Sequence, residues 1–429
     1  MEKRSRREFL AAAGVGATSL VLPGEVPVIS QDDLAFLKQL ARDTTASATK
    51  KTSAGFDFVT PGGNYPSFWI RDFSMAAGCG LLAPSTILEH PNLAASLQNG
   101  VSERNLKSGG ILPPGAVADH VNFQGGAVFY PGTYSSGEDQ GGEPWGTLPP
   151  ADDHFELIHL AYCYWKRTYR TDFLLAEVEG VRLFERLKMA LNCPVVDPAN
   201  GLFVTDFPRR AVGFGFCDGV HLTGHVLFPS LLRWRALGEM IDLARAVKIT
   251  EKVPEWKQSR GLIRTSIPKV FAHKEGWLIA ATKLGRQPDV WGMAFGCHLG
   301  VLDLFYSRKL SEAYRARTIC LEGGVRHVPT SHNFSPNSAW EKTVGQRINT
   351  YQNGAYWHTP TGWLASALAQ VDRDSARKLI SEMIAHFRRE DFRKGGGGPW
   401  ECFHPDGNHR QNPIYMASVT LPYEIVSGL

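Results

Sequence analysis

Through most of the chain, apolar residues recur three and four positions apart, the spacing that lines up one face of an α-helix. The pattern predicts helices near 31–43, 73–82, 87–104, 153–169, 173–191, 221–234, 236–248, 255–272, 291–306, 310–320, 361–371 and 373–389. The period-two alternation of half-buried strands is nearly absent. Many of these helices come as close pairs: 153–169 is followed after a short break by 173–191, and 361–371 by 373–389, with Asp372 and Asp374 supplying capping chemistry at the turn.

Helical hairpins repeated without a visible sequence period favour a closed ring over an open solenoid. The expected fold is therefore all-α, an (α/α)6 toroid of about twelve helices whose long loops surround a central funnel. The 429 residues fit one such unit, and no Pro/Ser-rich linker divides residues 31–429. Long glycine- and aromatic-rich connections at 108–150 and 322–356 are candidate functional loops.

Composition narrows the partners. The chain is 43% apolar and 21% charged, an ordinary globular balance, and its net charge of +4 is unclustered outside the N-terminus. Neither nucleic acid nor a membrane surface is an expected partner. Eleven tryptophans exceed ordinary usage and supply flat faces of the kind that sugars stack on. The run Ser5-Arg6-Arg7-Glu8-Phe9-Leu10, leading into a short Ala/Gly-rich stretch, resembles a bacterial twin-arginine export signal over residues 1–30. A periplasmic or extracellular location for the folded protein follows from that reading, and no other segment is long and apolar enough to span a bilayer. The seven cysteines, Cys79, Cys163, Cys193, Cys217, Cys297, Cys320 and Cys402, show no C-x-x-C spacing, so neither a disulfide scaffold nor a zinc knuckle is expected.

Five clusters at loop ends carry candidate chemistry. Trp69-Ile70-Arg71-Asp72 joins a ring to a forked cation and a carboxylate, which suits paired sugar hydroxyls, although an Arg-Asp pair at a helix start also serves as a cap. Asp153, beside Asp152, opens a helix and has the same two readings. Asp218 lies in Gly213-Phe214-Gly215-Phe216-Cys217-Asp218-Gly219, a glycine-flanked apolar setting that keeps a carboxylic acid protonated near neutral pH. Asp289 and Trp291 form the fourth cluster, and Gln352, Asn353, Trp357 and His358 the fifth. In the run Lys394–Asp406 four glycines and Pro399 precede Trp400 and Glu401. Glycines at such a place let backbone approach a ligand, and Trp400 would offer a stacking face beside Glu401. There is no H-E-x-x-H or H-x-H run, no G-x-S-x-G elbow and no phosphate loop, so no metal and no cofactor is expected. Carboxylates and aromatic rings remain, the equipment of glycoside cleavage.

In this order, Trp69–Asp72, Arg286–Gly292, Tyr351–Trp357 followed by Gly362-Trp363, and Gly395–Glu401 resemble the six-hairpin glycosidase superfamily of glucoamylases, trehalases, processing glucosidases and glycogen-debranching glucosidases. The resemblance covers most of residues 60–425, through short motifs. It implies a glycoside hydrolase that acts on an oligosaccharide or glycoside and requires no metal, with Arg71 and Asp72 holding the sugar, a mid-chain acid donating the proton and Glu401 activating water with inversion. The chain departs from trehalases in placing Pro399-Trp400 between the glycines and the glutamate. Asp218 is the favoured acid, and Asp153, Asp206 and Asp289 are its rivals. Two alternatives stand beside this reading. One is an epimerase, glycan lyase or unsaturated-uronide hydrolase on the same toroid, using His358, His404 or Tyr356, and the other is a non-catalytic carbohydrate-binding protein.

Overall fold

A computed structural model describes residues 28–52 and 57–428. The expected export signal lies, up to residue 27, outside the described residues. Thirteen α-helices are found among them: α1 (Gln31–Ala48), α2 (Ile70–Ala77), α3 (Pro84–Ser96), α4 (Ala151–Thr168), the single turn α5 (Asp172–Leu175), α6 (Leu183–Asn192), α7 (Leu227–Ala246), α8 (Val253–Val270), α9 (Val290–His298), α10 (Leu304–Arg315), α11 (Thr361–Ala369), α12 (Arg373–Arg389) and α13 (Ala417–Val426).

Six of these helices form a closed circuit of neighbours. α2 packs on α4, α4 on α7, α7 on α9, α9 on α11, α11 on α13, and α13 back on α2. The other long helices each lie against a member of this circuit: α1 on α13, α3 and α6 on α4, α8 on α7, α10 on α9, and α12 on α11. The two sets differ in pattern. Every residue of α2 and all of α9 except His298 are buried, whereas α10 and α12 bury one face only. A helix apolar all round must be covered on all sides, while an amphipathic one faces water.

Several elements differ from the sequence expectation. The stretches 221–234 and 236–248 merge in the single helix α7. The stretch 173–191 is interrupted by a two-stranded hairpin, Glu177–Val178 with Val181–Arg182, whose central Glu179 and Gly180 both take positive φ as such a tight turn requires. The helix α13 had no periodic signal, because nearly all of it is buried and Pro422 interrupts the pattern. Short strands are also more numerous than the alternation suggested. The largest sheet is antiparallel and five-stranded, in the order Cys320–Leu321, Gly324–Arg326, Tyr356–Trp357, Cys402–His404 and His409–Gln411. At two or three residues each, these strands are too short to show a period. No helix among the described residues is long and apolar enough to cross a membrane.

Candidate active site

The loops that enter α2, α4, α7, α11 and α13 bring their chemistry to one cavity of about 450 Å³. Three carboxyl groups line it, those of Asp72, Asp218 and Glu401, together with Arg71. Tyr65, Trp69, His120 and Tyr134 add a wall of rings. Antiparallel pairing of Ser67–Trp69 with His120–Asn122 sets Trp69 opposite His120, and the two rings stack at 4.3 Å and 19°.

Arg71 is anchored from behind. Its Nε donates to Asp152 at 2.8 Å, and its Nη2 donates to Asp153 at 2.9 Å and to Asp119. All three carboxylates are fully buried. Burial works upward on Asp119, but Arg71 and His120 outweigh it and hold its pKa down at about 2. Burial, with the neighbouring charges of Asp152 and Asp119, holds Asp153 well above the usual carboxylate range despite Arg71. Asp119 Oδ2 lies 2.7 Å from His120 Nδ1, which orients the imidazole. A Cβ on Gly215 would overlap the Arg71 guanidinium, and the Gly215 amide donates to Asp152 at 2.9 Å. This glycine is required by the close approach of a side chain.

Asp218 follows the 3-10 turn Gly215–Cys217. Gln352 braces it: Nε2 donates to Asp218 Oδ1 at 2.7 Å, while Oε1 accepts from the Gly219 amide at 2.7 Å. Burial raises the Asp218 pKa to about 6, against the opposing pull of Gln352 and Arg71. Asp72, which accepts from the Tyr415 hydroxyl, is raised to about 7 by burial.

Glu401 precedes the hairpin Cys402–His404 with His409–Gln411, which folds Asn412 back beside it. The Glu401 amide donates to Gln411 O at 3.1 Å and Asn412 O at 3.0 Å. Its Oε2 accepts from the Tyr65 hydroxyl at 3.0 Å and from Asn412 Nδ2. Burial pushes Glu401 up to about 8, the Asn412 amide and Tyr65 hydroxyl pull it down, and the charges of Asp72 and Asp218 push it further up.

Of the residues singled out in the sequence, Trp69, Arg71, Asp72, Asp218 and Glu401 line the cavity. The others do not, and most have structural work. Asp153 sits behind Arg71, and Gln352 behind Asp218. Asp289 caps α9 by accepting from the Gly292 amide at 2.7 Å. Trp291 stacks on His327 in the core at 3.8 Å, and Trp357 is fully buried beside it. Asn353 braces the long loop through the Ala339 amide and Gln346 O, and His358 is buried against Phe403. Trp400 turns away from the cavity, lying over Gly397 and donating to Glu390 at 3.2 Å. The glycine run follows it. Side chains at Gly396 or Gly398 would run into Glu390, so the run packs against the end of α12 instead of lying along a ligand. Among the rival acids, Asp206 is paired with Lys283 at the surface. His358, His404 and Tyr356 are likewise outside the lining.

Sequence reasoning missed Asp119, His120, Tyr134, Asn412 and Tyr415. Asn412 and Tyr415 follow Glu401 closely, and a polar-aromatic segment returning after a short hairpin was the available signal. His120 and Asp119 gave none, because only strand register brings them to Trp69 and Arg71.

No protein-family model matches the sequence, and no curated protein matches it. Solved structures do. The chain is similar to a GH63 mannosylglycerate hydrolase from Thermus thermophilus in complex with glucose, at TM-score 0.58 and 16% identity over 91% of this chain and 100% of that one. At that identity the likeness shows a shared fold. A rhamnosidase from Klebsiella oxytoca with rhamnose bound gives TM-score 0.57 at 12% identity over 94% of this chain, and a GH78 rhamnosidase of Bacillus sp. GL1 gives 0.56 at 14% over 93%. The chain spans 66% of the Klebsiella protein and 35% of the Bacillus one.

Proposed function

We propose that the protein is an enzyme, a glycoside hydrolase, with Asp218 and Glu401 as its catalytic pair. The observation that carries this reading is that two carboxyl groups from distant parts of the chain line one cavity with Arg71, Asp72 and a wall of rings. The fold shared with glycosidases supports it. The circuit of six helices, with six further helices packed around it, is in this reading an (α/α)6 toroid whose funnel holds the sugar.

Asp218 protonates the glycosidic oxygen as the C–O bond breaks. Glu401 accepts a proton from a water that attacks the anomeric carbon from the opposite face, which inverts the configuration. Two donors on Glu401 Oε2 favour its carboxylate form, as this role needs. Arg71 and Asp72 hold sugar hydroxyls, and Trp69 offers a stacking face. A second reading exchanges the two roles, and the higher pKa of Glu401 favours it.

The test is hydrolysis of a panel of glycosides, with the anomer of the first product read by NMR. An inverted product whose formation is abolished by Glu401→Gln supports the assignment. A panel left uncleaved, or cleaved equally by Glu401→Gln, overturns it. Export by the twin-arginine route belongs to the same proposal: Arg6→Lys with Arg7→Lys is expected to leave folded protein in the cytoplasm, since lysine lacks the planar guanidinium. Continued export of that double variant would remove the route.

A further inference from the structure

We propose that His273, Glu275 and His332 form a surface site for a divalent transition metal, with Zn²⁺ as the best match. One ring nitrogen of each histidine and one carboxylate oxygen lie within 4.8 Å of one another. His273 and Glu275 sit in the turn after α8, closed by the His273 amide on Trp277 O at 2.9 Å and the Gly276 amide on His273 O at 3.0 Å. His332 ends the 3-10 turn Thr330–His332 in the long loop that also carries the cavity residues Gln346 and Tyr351. The three donors thus come from two segments well separated in sequence.

The donor set decides the class of ion. Two imidazoles and one carboxylate suit zinc and its first-row neighbours, whereas calcium and magnesium take oxygen ligands. The His332 ring is already held in place by partners on both nitrogens. Ser331 Oγ lies 3.0 Å from its Nδ1, and its Nε2 lies 2.7 Å from Glu275 Oε2. A partner on the second ring nitrogen is the usual means of fixing a ligating imidazole. Glu275 is exposed, so the fourth position opens to water. In metal-free protein the His332–Glu275 hydrogen bond occupies the place of the metal bonds, and Zn²⁺ would displace that proton.

The pattern His-x-Glu with a histidine far downstream matches no short motif, so the sequence did not disclose it. None of the three residues lines the cavity. The ion would act as a strap between the turn after α8 and the long loop.

The test uses full-length protein stripped with a chelator and titrated with Zn²⁺ against a chromophoric competitor. One Zn²⁺ per chain at micromolar affinity or tighter is expected, weakened at least tenfold by His273→Ala and by His332→Ala, with circular dichroism confirming that both variants fold. Co²⁺ should give visible bands of a four- or five-coordinate nitrogen and oxygen site, and Zn²⁺ should slow tryptic cleavage after Lys274. If either alanine variant misfolds, Glu275→Gln replaces it, and the same loss of affinity is expected. No binding at micromolar Zn²⁺, or stoichiometric binding that survives His332→Ala, overturns the proposal.

Discussion

Asp218 and Glu401 share a cavity but are held in unlike ways. Asp218 is half-buried at the end of a short turn and accepts one hydrogen bond, from a neutral amide. Glu401 is almost fully buried and takes two donors on one oxygen, from segments at opposite ends of the chain. Deeper burial lifts Glu401 to about 8 and Asp218 to about 6. Burial and donors therefore pull in opposite directions, and at Glu401 both are larger. The lesson is that protonation at Glu401 answers to two opposed influences, since its donors are arranged to stabilise the charge that burial opposes.

Kinetics break this comparison most sharply. Glu401→Gln is expected to lower turnover by about 10²–10⁴-fold on every substrate, since a general base is needed whatever group leaves. Asp218→Asn should spare aryl glycosides with activated leaving groups while losing natural glycosides. The opposite pattern in a leaving-group series would exchange the two roles.

A smaller effect comes from removing the braces. Loss of a hydrogen bond to a charged group, worth about 1.5–3 kcal/mol, corresponds to about one to two pH units. With Asp218 at about 6 and Glu401 at about 8, the form with the acid protonated and the base ionised is a minor one, and its profile is bounded by Asp218 on the acidic side and by Glu401 on the alkaline side. Asn412→Ala should raise the Glu401 pKa, move the alkaline limb to higher pH and lower the plateau of kcat/KM, whereas Gln352→Ala should raise the Asp218 pKa, move the acidic limb to higher pH and raise the plateau. Limbs that move while the plateau stays constant would reverse the assignment.

Thermal stability sharpens the contrast further. A carboxyl whose folded pKa is raised binds more protons folded than unfolded, so stability falls as pH rises from the unfolded value, 4.5 for Glu401, through about 8. Glu401→Gln removes that penalty. Its melting temperature should exceed that of the parent by a margin that grows across this window and then levels off, and a constant margin would show that Glu401 is not a strained buried charge. The smallest effect is expected at Trp400. With its ring outside the cavity, Trp400→Phe should change kcat/KM by no more than about twofold, and a larger loss would return Trp400 to the sugar-binding surface.

The helical frame was legible because amphipathic helices such as α10 and α12 carry a period. The nearly all-buried α13 and the strands of two or three residues carry none, and they were missed. At the site, Trp69, Arg71, Asp72, Asp218 and Glu401 were legible because each stands at a helix entrance or in a loop with unusual flanking residues. Trp291, Trp357 and Trp400 misled, since an indole beside a polar group looks the same in sequence whether it faces a ligand or a core. Asp119 and His120 were hidden because their role depends on pairing across a sheet and around Arg71.

The seam at which α13 meets α2 has a consequence for biosynthesis. There Tyr415 reaches Asp72, Asn412 reaches Tyr65, and the Met416 amide donates to Pro61 O at 2.7 Å. Early and late segments complete the cavity together, so a ribosome-bound chain that has not yet released Tyr415 lacks both the brace on Asp72 and the hairpin that turns Asn412 onto Glu401. The cavity would then be completed only once Tyr415 has left the ribosome, and a nascent fragment ending before it would hold Asp72 without its phenolic partner.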